Sequence, residues 1–220
     1  MNNVWTYRVG LGSEETSERE LGTLGFKFKK VVIEEVIREH IPETLGKPYK
    51  LNTSMRIDAP NFFSCSSLIS YLYTFVGVWM PSLVVDKFFF SQEISKNELR
   101  FGDLVFSYNK NPTDRDYLRF KTVEYMPGKF ATEDPVNHVG MFLGDGNIIH
   151  ASGYWYRGAV LVEDLSLSPS FKKIVRYGRI VPDIKAARYV VEIPSNRPDI
   201  RKSEDLLREI KKSTNNAEKT

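Results

Sequence analysis

Apolar residues along the chain recur with two different periods. Between Lys30 and Ile41, Val31, Val32, Ile33, Val36, Ile37 and Ile41 alternate with charges in a spacing that predicts an amphipathic helix. Pro42 is expected to end it, and Gly46-Lys47-Pro48 argues against a restart. Tyr49 to Phe63 is polar and contains proline, as a loop would. The clearest helical face follows. Cys65, Leu68, Ile69, Leu72, Phe75 and Val76 lie on one stripe of a helix predicted from Ser64 to about Gly77. Ser64 suits its N-cap, and Gly77 and Pro81 its end.

From residue 104 onward the pattern becomes that of strands. Leu104-Val105-Phe106 follows a Gly102-Asp103 turn signal. His138 to Leu143 and Asn147 to Ala151 flank Gly144-Asp145-Gly146, the signature of a hairpin. Ala159 to Val162, Ile174 to Val181 and Ala187 to Ile193 supply further β-branched runs. Helices first and strands afterwards predict an α+β domain rather than a doubly wound sheet. That domain is expected over residues 31–194, with an extension over 1–30 and a charged tail over 195–220. Glu204 to Lys212 of the tail reads as helical and the last residues as disordered. The polar stretch from Tyr108 to Pro135 reads as an exposed excursion.

Composition narrows the field. With 31 basic and 28 acidic residues the net charge is +3, so nothing calls for nucleic acid. Lys27, Lys29 and Lys30, like Lys211 and Lys212, read as solvated faces. No metal-ligand cluster or cofactor motif is evident, so no metal or cofactor is expected. The charge-free run from Ala59 to Val85 is long enough to span a bilayer, but Asn61, five serines, Thr74, Gly77 and Pro81 interrupt it. A buried helix fits better, and no transmembrane segment is expected. Met1 to Lys30 lacks a basic region followed by an apolar one, so a cleavable secretory signal is not expected. That leaves the cytoplasm or export by another route.

The single cysteine excludes an internal disulfide and, by itself, reads as a small buried hydrophobe. Its position changes this. Cys65 falls in the first turn of the predicted helix, where unpaired N–H groups and the helix dipole favour thiolate. A thiol reactive well below the ordinary pKa of about 8.5 is the expectation. Of the three histidines, His40 sits among charges as a surface residue. His138 and His150 flank one hairpin. With a three-residue loop, residue 140 opposes residue 150, and the two histidines become diagonal neighbours about 7–8 Å apart on one face. Gly140 then leaves room for the imidazoles to converge. One histidine can serve as base to the thiol and the other can orient it.

Several motifs carry a family resemblance. Phe63-Ser64-Cys65-Ser66-Ser67-Leu68-Ile69 resembles the nucleophile segment of NlpC/P60 peptidases. Leu99 to Phe106, with Gly102-Asp103-Leu104-Val105-Phe106, resembles their Gly-Asp-Leu-Val-Phe strand entry. Asn137 to Gly146 with Ile149-His150-Ala151 is similar to their histidine hairpin, and Gly46-Lys47-Pro48-Tyr49 to the segment bearing a tyrosine near the oxyanion site. The resemblance implies a papain-like α+β fold, with N-terminal helices and the nucleophile helix packed on an antiparallel β-sheet. It implies a thiol protease acting on cell-wall peptidoglycan stem peptides, typically at a γ-D-glutamyl bond, through a thioester. Carried over by position, Cys65 is nucleophile, His138 base and His150 the orienting residue. Tyr49, Ser64 and Ser66 are implied at the oxyanion or substrate site. Ser67 replaces the family's glycine and Ser64 its aspartate; loss of that carboxylate at Ser64 leads us to expect a weaker preference for a free amino terminus. An amidase, acyltransferase or effector using the same dyad, and a non-catalytic binding module, are the alternatives.

Overall fold

The computed structural model describes residues 6–7, 27–53, 55, 57–78, 80–108, 124–126, 129–130, 136–153 and 158–192. The chain divides into two compact units. One comprises residues 1–39, 72–79 and 185–220; the other comprises 40–71 and 80–184. The first contains a three-stranded antiparallel sheet of β1 (Thr6–Tyr7), β2 (Lys27–Val32) and β11 (Ala187–Glu192), in the order β1-β11-β2. Lys30 to Val32, expected to be helical, belongs to β2 and pairs with Ala187 to Tyr189. Val31 and Val32 are as suited to a strand as to a helix, and an available partner strand decides between them. Helix α1 starts only at Ile33 and runs to Thr44, with Pro42 tolerated near its end rather than terminating it. Val31, Ile33, Ile37, Leu72, Tyr73 and Val76 are buried.

The second unit carries a six-stranded antiparallel sheet. Its strands are β3 (Gln92–Ile94), β4 (Leu104–Ser107), β7 (His138–Gly144), β8 (Asn147–Ser152), β9 (Ala159–Asp164) and β10 (Ile174–Arg179), ordered β3-β10-β4-β7-β8-β9. Helix α2 spans Cys65–Thr74 and a shorter helix α3, not anticipated from sequence, spans Val84–Phe90. Phe88 of α3 meets Phe106 of β4 edge-on, with ring centroids 5.4 Å apart. On the alternate side of the strands Val105, Ile148 and Phe171 form a buried cluster. Covered on both faces, β4 is buried at every position, which explains its uninterrupted apolar run.

Asp103 of the Gly-Asp turn locks this sheet. Its carboxylate accepts two hydrogen bonds from Arg179 on β10, at 2.9 and 2.8 Å, and one from the Arg100 N–H. A paired, hydrogen-bonded carboxylate at 2% exposure is structural. Among the described residues, no helix is long and apolar enough to cross a membrane. A short hairpin of β5 (Glu124–Met126) and β6 (Lys129–Phe130) falls within the polar excursion. The rest of residues 109–135 and the proposed helix at Glu204 to Lys212 lie outside the described residues.

Candidate active site

Cys65 opens α2. Ser64 caps the helix: its hydroxyl accepts from the Ser67 N–H at 3.2 Å, while the Ser64 N–H donates to Ser67 Oγ at 2.9 Å and Thr53 Oγ1 at 2.8 Å. The cap fixes where the free N–H groups of the first turn point. Cys65 lies beside them, and the backbone N–H groups of Val139, Ser66 and Cys65 itself act on its sulfur in the direction of ionisation. Val139 immediately follows His138 at the start of β7.

The hairpin builds the rest. Met141 pairs with Ile149, the register a three-residue loop requires. The actual turn is two residues, Asp145 and Gly146, at φ 49° and 77°, and a bulge between Phe142 and Gly144 absorbs the difference. His138 Nε2 and His150 Nδ1 are 2.9 Å apart, with their rings nearly perpendicular. The gap opposite Gly140 is not filled by the imidazoles. A Cβ there would lie 2.8 Å from both Ile148 Cδ1 and Phe171 Cζ. Phe171 takes the space and touches both histidines, at ring centroid distances of 5.1 and 5.2 Å.

One further member was not read from the sequence. His150 Nε2 is 2.7 Å from Glu163 Oε1 on β9, and Ser168 Oγ also donates to that oxygen. Register explains the meeting: His150 pairs with Leu161 and Ile148 with Glu163, so Glu163 is the diagonal neighbour of His150. As a carboxylate Glu163 only accepts, so His150 carries its proton on Nε2. Its Nδ1 then accepts from His138 Nε2–H, which leaves His138 Nδ1 with a lone pair free to take a proton. A chain of three side chains thus sets one tautomer.

Charge in the site is governed by burial. Burial pushes the Cys65 thiol up, outweighing the opposite effects of the Val139 N–H, the Lys87 charge and the Ser66 and Cys65 N–H groups. Burial, reinforced by His150, pushes His138 well below the ordinary imidazole range. His150 is also lowered by burial, with Glu163 opposing. Burial thus favours a neutral thiol at Cys65 and a neutral imidazole at His138. This differs from the thiolate expected at a helix start, because sequence locates the helix terminus but not its distance from water.

Tyr49 is held in an extended segment, its N–H bonded to Gly158 O at 2.5 Å and its backbone bridged to Phe63. Gly153 admits its ring: a Cβ there would lie 2.6 Å from Cδ1 and Cε1. Burial and the proximity of Cys65 push its phenol up, which places it within electrostatic reach of the sulfur. Ser64 and Ser66 are adjacent in sequence but their hydroxyls have protein partners. That of Ser64 also donates to Ser67 Oγ, at 3.2 Å; that of Ser66 donates to Ser82 O and accepts from Lys87 Nζ. Both shape the helix terminus. His40 pairs with Glu43 at 2.9 Å, outside the cluster. Among the described residues, no group of His, Cys, Asp and Glu is arranged to hold a metal ion.

Comparison with known proteins adds the following. Residues 46–115 match the family model of NlpC/P60. Among solved structures, the chain is similar to an NLP/P60-family, lipoprotein-like protein from Staphylococcus aureus subsp. aureus Mu50, 24% identical, over 68% of this chain and 41% of that one, TM-score 0.50. It is similar to an NlpC/P60 family protein from Bacillus cereus ATCC 10987, 21% identical, over 68% and 40%, TM-score 0.50. It also aligns with the peptidoglycan hydrolase RipB of Mycobacterium tuberculosis, 22% identical, over 74% and 78%, TM-score 0.48. The match spans about two-fifths of the length of the first two relatives. At 24% and 21% identity, the likeness to the first two shows the fold alone. No curated protein matches the chain.

Proposed function

From the match of residues 46–115 to the NlpC/P60 family model, we propose that the chain is a cysteine hydrolase of amide bonds in cell-wall peptides. The observation that carries the reading is the hydrogen-bonded chain His138–His150–Glu163, which leaves a basic nitrogen on His138. A structural pair of buried histidines has no need of a third, anionic partner that selects their tautomer.

The mechanism starts from neutral groups. His138 Nδ1 removes the proton of Cys65 Sγ as the sulfur attacks the substrate carbonyl carbon. The tetrahedral oxyanion is stabilised by the Cys65 N–H, with the Tyr49 hydroxyl as second donor. The imidazolium protonates the departing amine, the C–N bond breaks, and an S-acyl thioester remains. Water, deprotonated by His138, attacks the thioester; the acid leaves and the thiol regains its proton. Throughout, Glu163 and His150 stabilise the transient positive charge on His138. Cleavage of purified muropeptides, read by product mass, tests this. The expected result is one new amine and one new carboxyl per cleavage with the native chain, and none with Cys65→Ala. Intact muropeptides after prolonged incubation with native protein would overturn it.

A further inference from the structure

Lys87 is the largest feature of the site that this mechanism leaves unused. It lies on α3 with no solvent exposure. Its ammonium donates to Ser66 Oγ at 2.7 Å, to Ser70 Oγ at 2.9 Å and to the Pro81 carbonyl. All three donors are satisfied, yet every one of these acceptors is neutral. Burying an ammonium against neutral oxygens is costly, and burial lowers Lys87 to about 8. Ser66 and Ser70 are one turn apart on α2, so the cation sits against the flank of that helix near its N-terminal end. That end is already positive, and a cation there opposes helix stability. Stability therefore gives no reason for a lysine at this position; an apolar side chain of similar length would serve better.

What the arrangement suits is a negative charge that appears transiently. Cys65 precedes Ser66, and the Lys87 charge acts on the thiol in the direction of ionisation. We propose that Lys87 is a positioning residue for the nucleophile, a buried ammonium that supplies positive field to Cys65 when its proton has gone to His138. The proposal rests on the reading of Cys65 as nucleophile and adds a group that no hydrogen bond joins to the imidazole chain. The other charged groups around the pair are identifiable. Asp86, on α3 itself, acts on Lys87 in favour of its charged form. Arg176 lies over the Phe88 ring and donates to Ser91 O. Tyr49 is in electrostatic contact with Cys65, and on the proposed mechanism His138 takes its proton; burial holds His138 below the ordinary imidazole range and Tyr49 above that of a phenol, so neither titrates near pH 8.

Because Cys65 is the single cysteine, its alkylation by iodoacetamide can be followed by mass as a function of pH. In the native protein the rate should rise with pH, flatten near pH 8 as Lys87 loses its proton, and rise again. In Lys87→Met the shoulder should vanish. The rate at pH 7 should fall about tenfold to a hundredfold, the effect of one charge several ångströms away at an effective dielectric of about 20. At pH 10, where native Lys87 is neutral, the two rates should converge. A merely structural lysine would not produce that convergence. Lys87→Gln, which keeps N–H donors for the serine oxygens without the charge, gives the same reading if the methionine variant does not fold. Native and variant profiles that coincide, or a native profile rising straight through pH 8, would overturn the proposal. The assay needs no peptide substrate, so its failure is separable from failure to cleave muropeptides.

Discussion

At the scale of single residues, the proposed site was legible as far as Cys65 at a helix start and the convergence of His138 and His150, and no further. Cys65 is marked by its place after a capping serine, and His138 and His150 by spacing around a turn. Glu163 and Lys87 escaped because their roles depend on pairings the sequence does not encode locally. Glu163 becomes a partner of His150 only through the β8–β9 register. Lys87 was visible as a lone cation in the apolar run Val84 to Phe90, the signal that could have found it. Glu163→Gln tests the tautomer argument. An amide can donate as well as accept, so His150 loses its preferred proton position. The expected outcome is a fall in kcat of roughly tenfold to a thousandfold with KM little changed, smaller than or comparable to loss of an orienting carboxylate in a triad. Steady-state kinetics on a defined stem peptide measures it, and unchanged kcat would remove Glu163 from the chain.

At the scale of elements, periodicity identified α2, the β7–β8 hairpin and the later strands to within a few residues. It failed where local preference is evenly divided. Lys30 to Val32 joins β2 because β11 offers an edge, and α3 is seven residues long, too short for a period to be distinguished. The hairpin also shows why correct parity did not give correct packing. The bulge preserved the register, but Phe171, from a distant short helical turn at Pro169–Phe171, occupies the space beside Gly140. Gly140→Ala should therefore push against Phe171 and Ile148 and lower stability by about 1–3 kcal/mol, as overpacked cores do. Activity should fall further than stability, since Phe171 supports both imidazoles. Urea unfolding together with activity assays checks this; a variant of native stability would mean the ring shifts freely.

At the scale of the whole molecule, the α+β class and the family fold were readable from the order of helices and strands and from the ordered motifs. The division into two units was not, because β2 and β11 lie about 155 residues apart and nothing local joins them. Burial of the histidines has a consequence for the entire fold. Both have folded pKa values below the ordinary imidazole value of about 6.5. The unfolded chain therefore binds protons first as pH falls, and stability present above about pH 6.5 is lost below it. For His138, held well below the ordinary range, the loss should approach about 1.4 kcal/mol per pH unit, with a smaller share from His150, whose lowering Glu163 opposes, and His138→Gln should reduce that slope. Denaturant unfolding at pH 7.5 and 5.5 measures it; equal stability at both would contradict buried neutral imidazoles. The central claim, that Cys65 attacks an acyl carbon with His138 as base, is tested most directly with an activated p-nitrophenyl ester of an N-acylated stem peptide. Rapid mixing should give a burst of nitrophenol equal to the protein present, with the acyl mass on Cys65 after acid quench and neither burst nor adduct in Cys65→Ala. Turnover that persists in Cys65→Ala, or an acyl group carried elsewhere on the native chain, would contradict it.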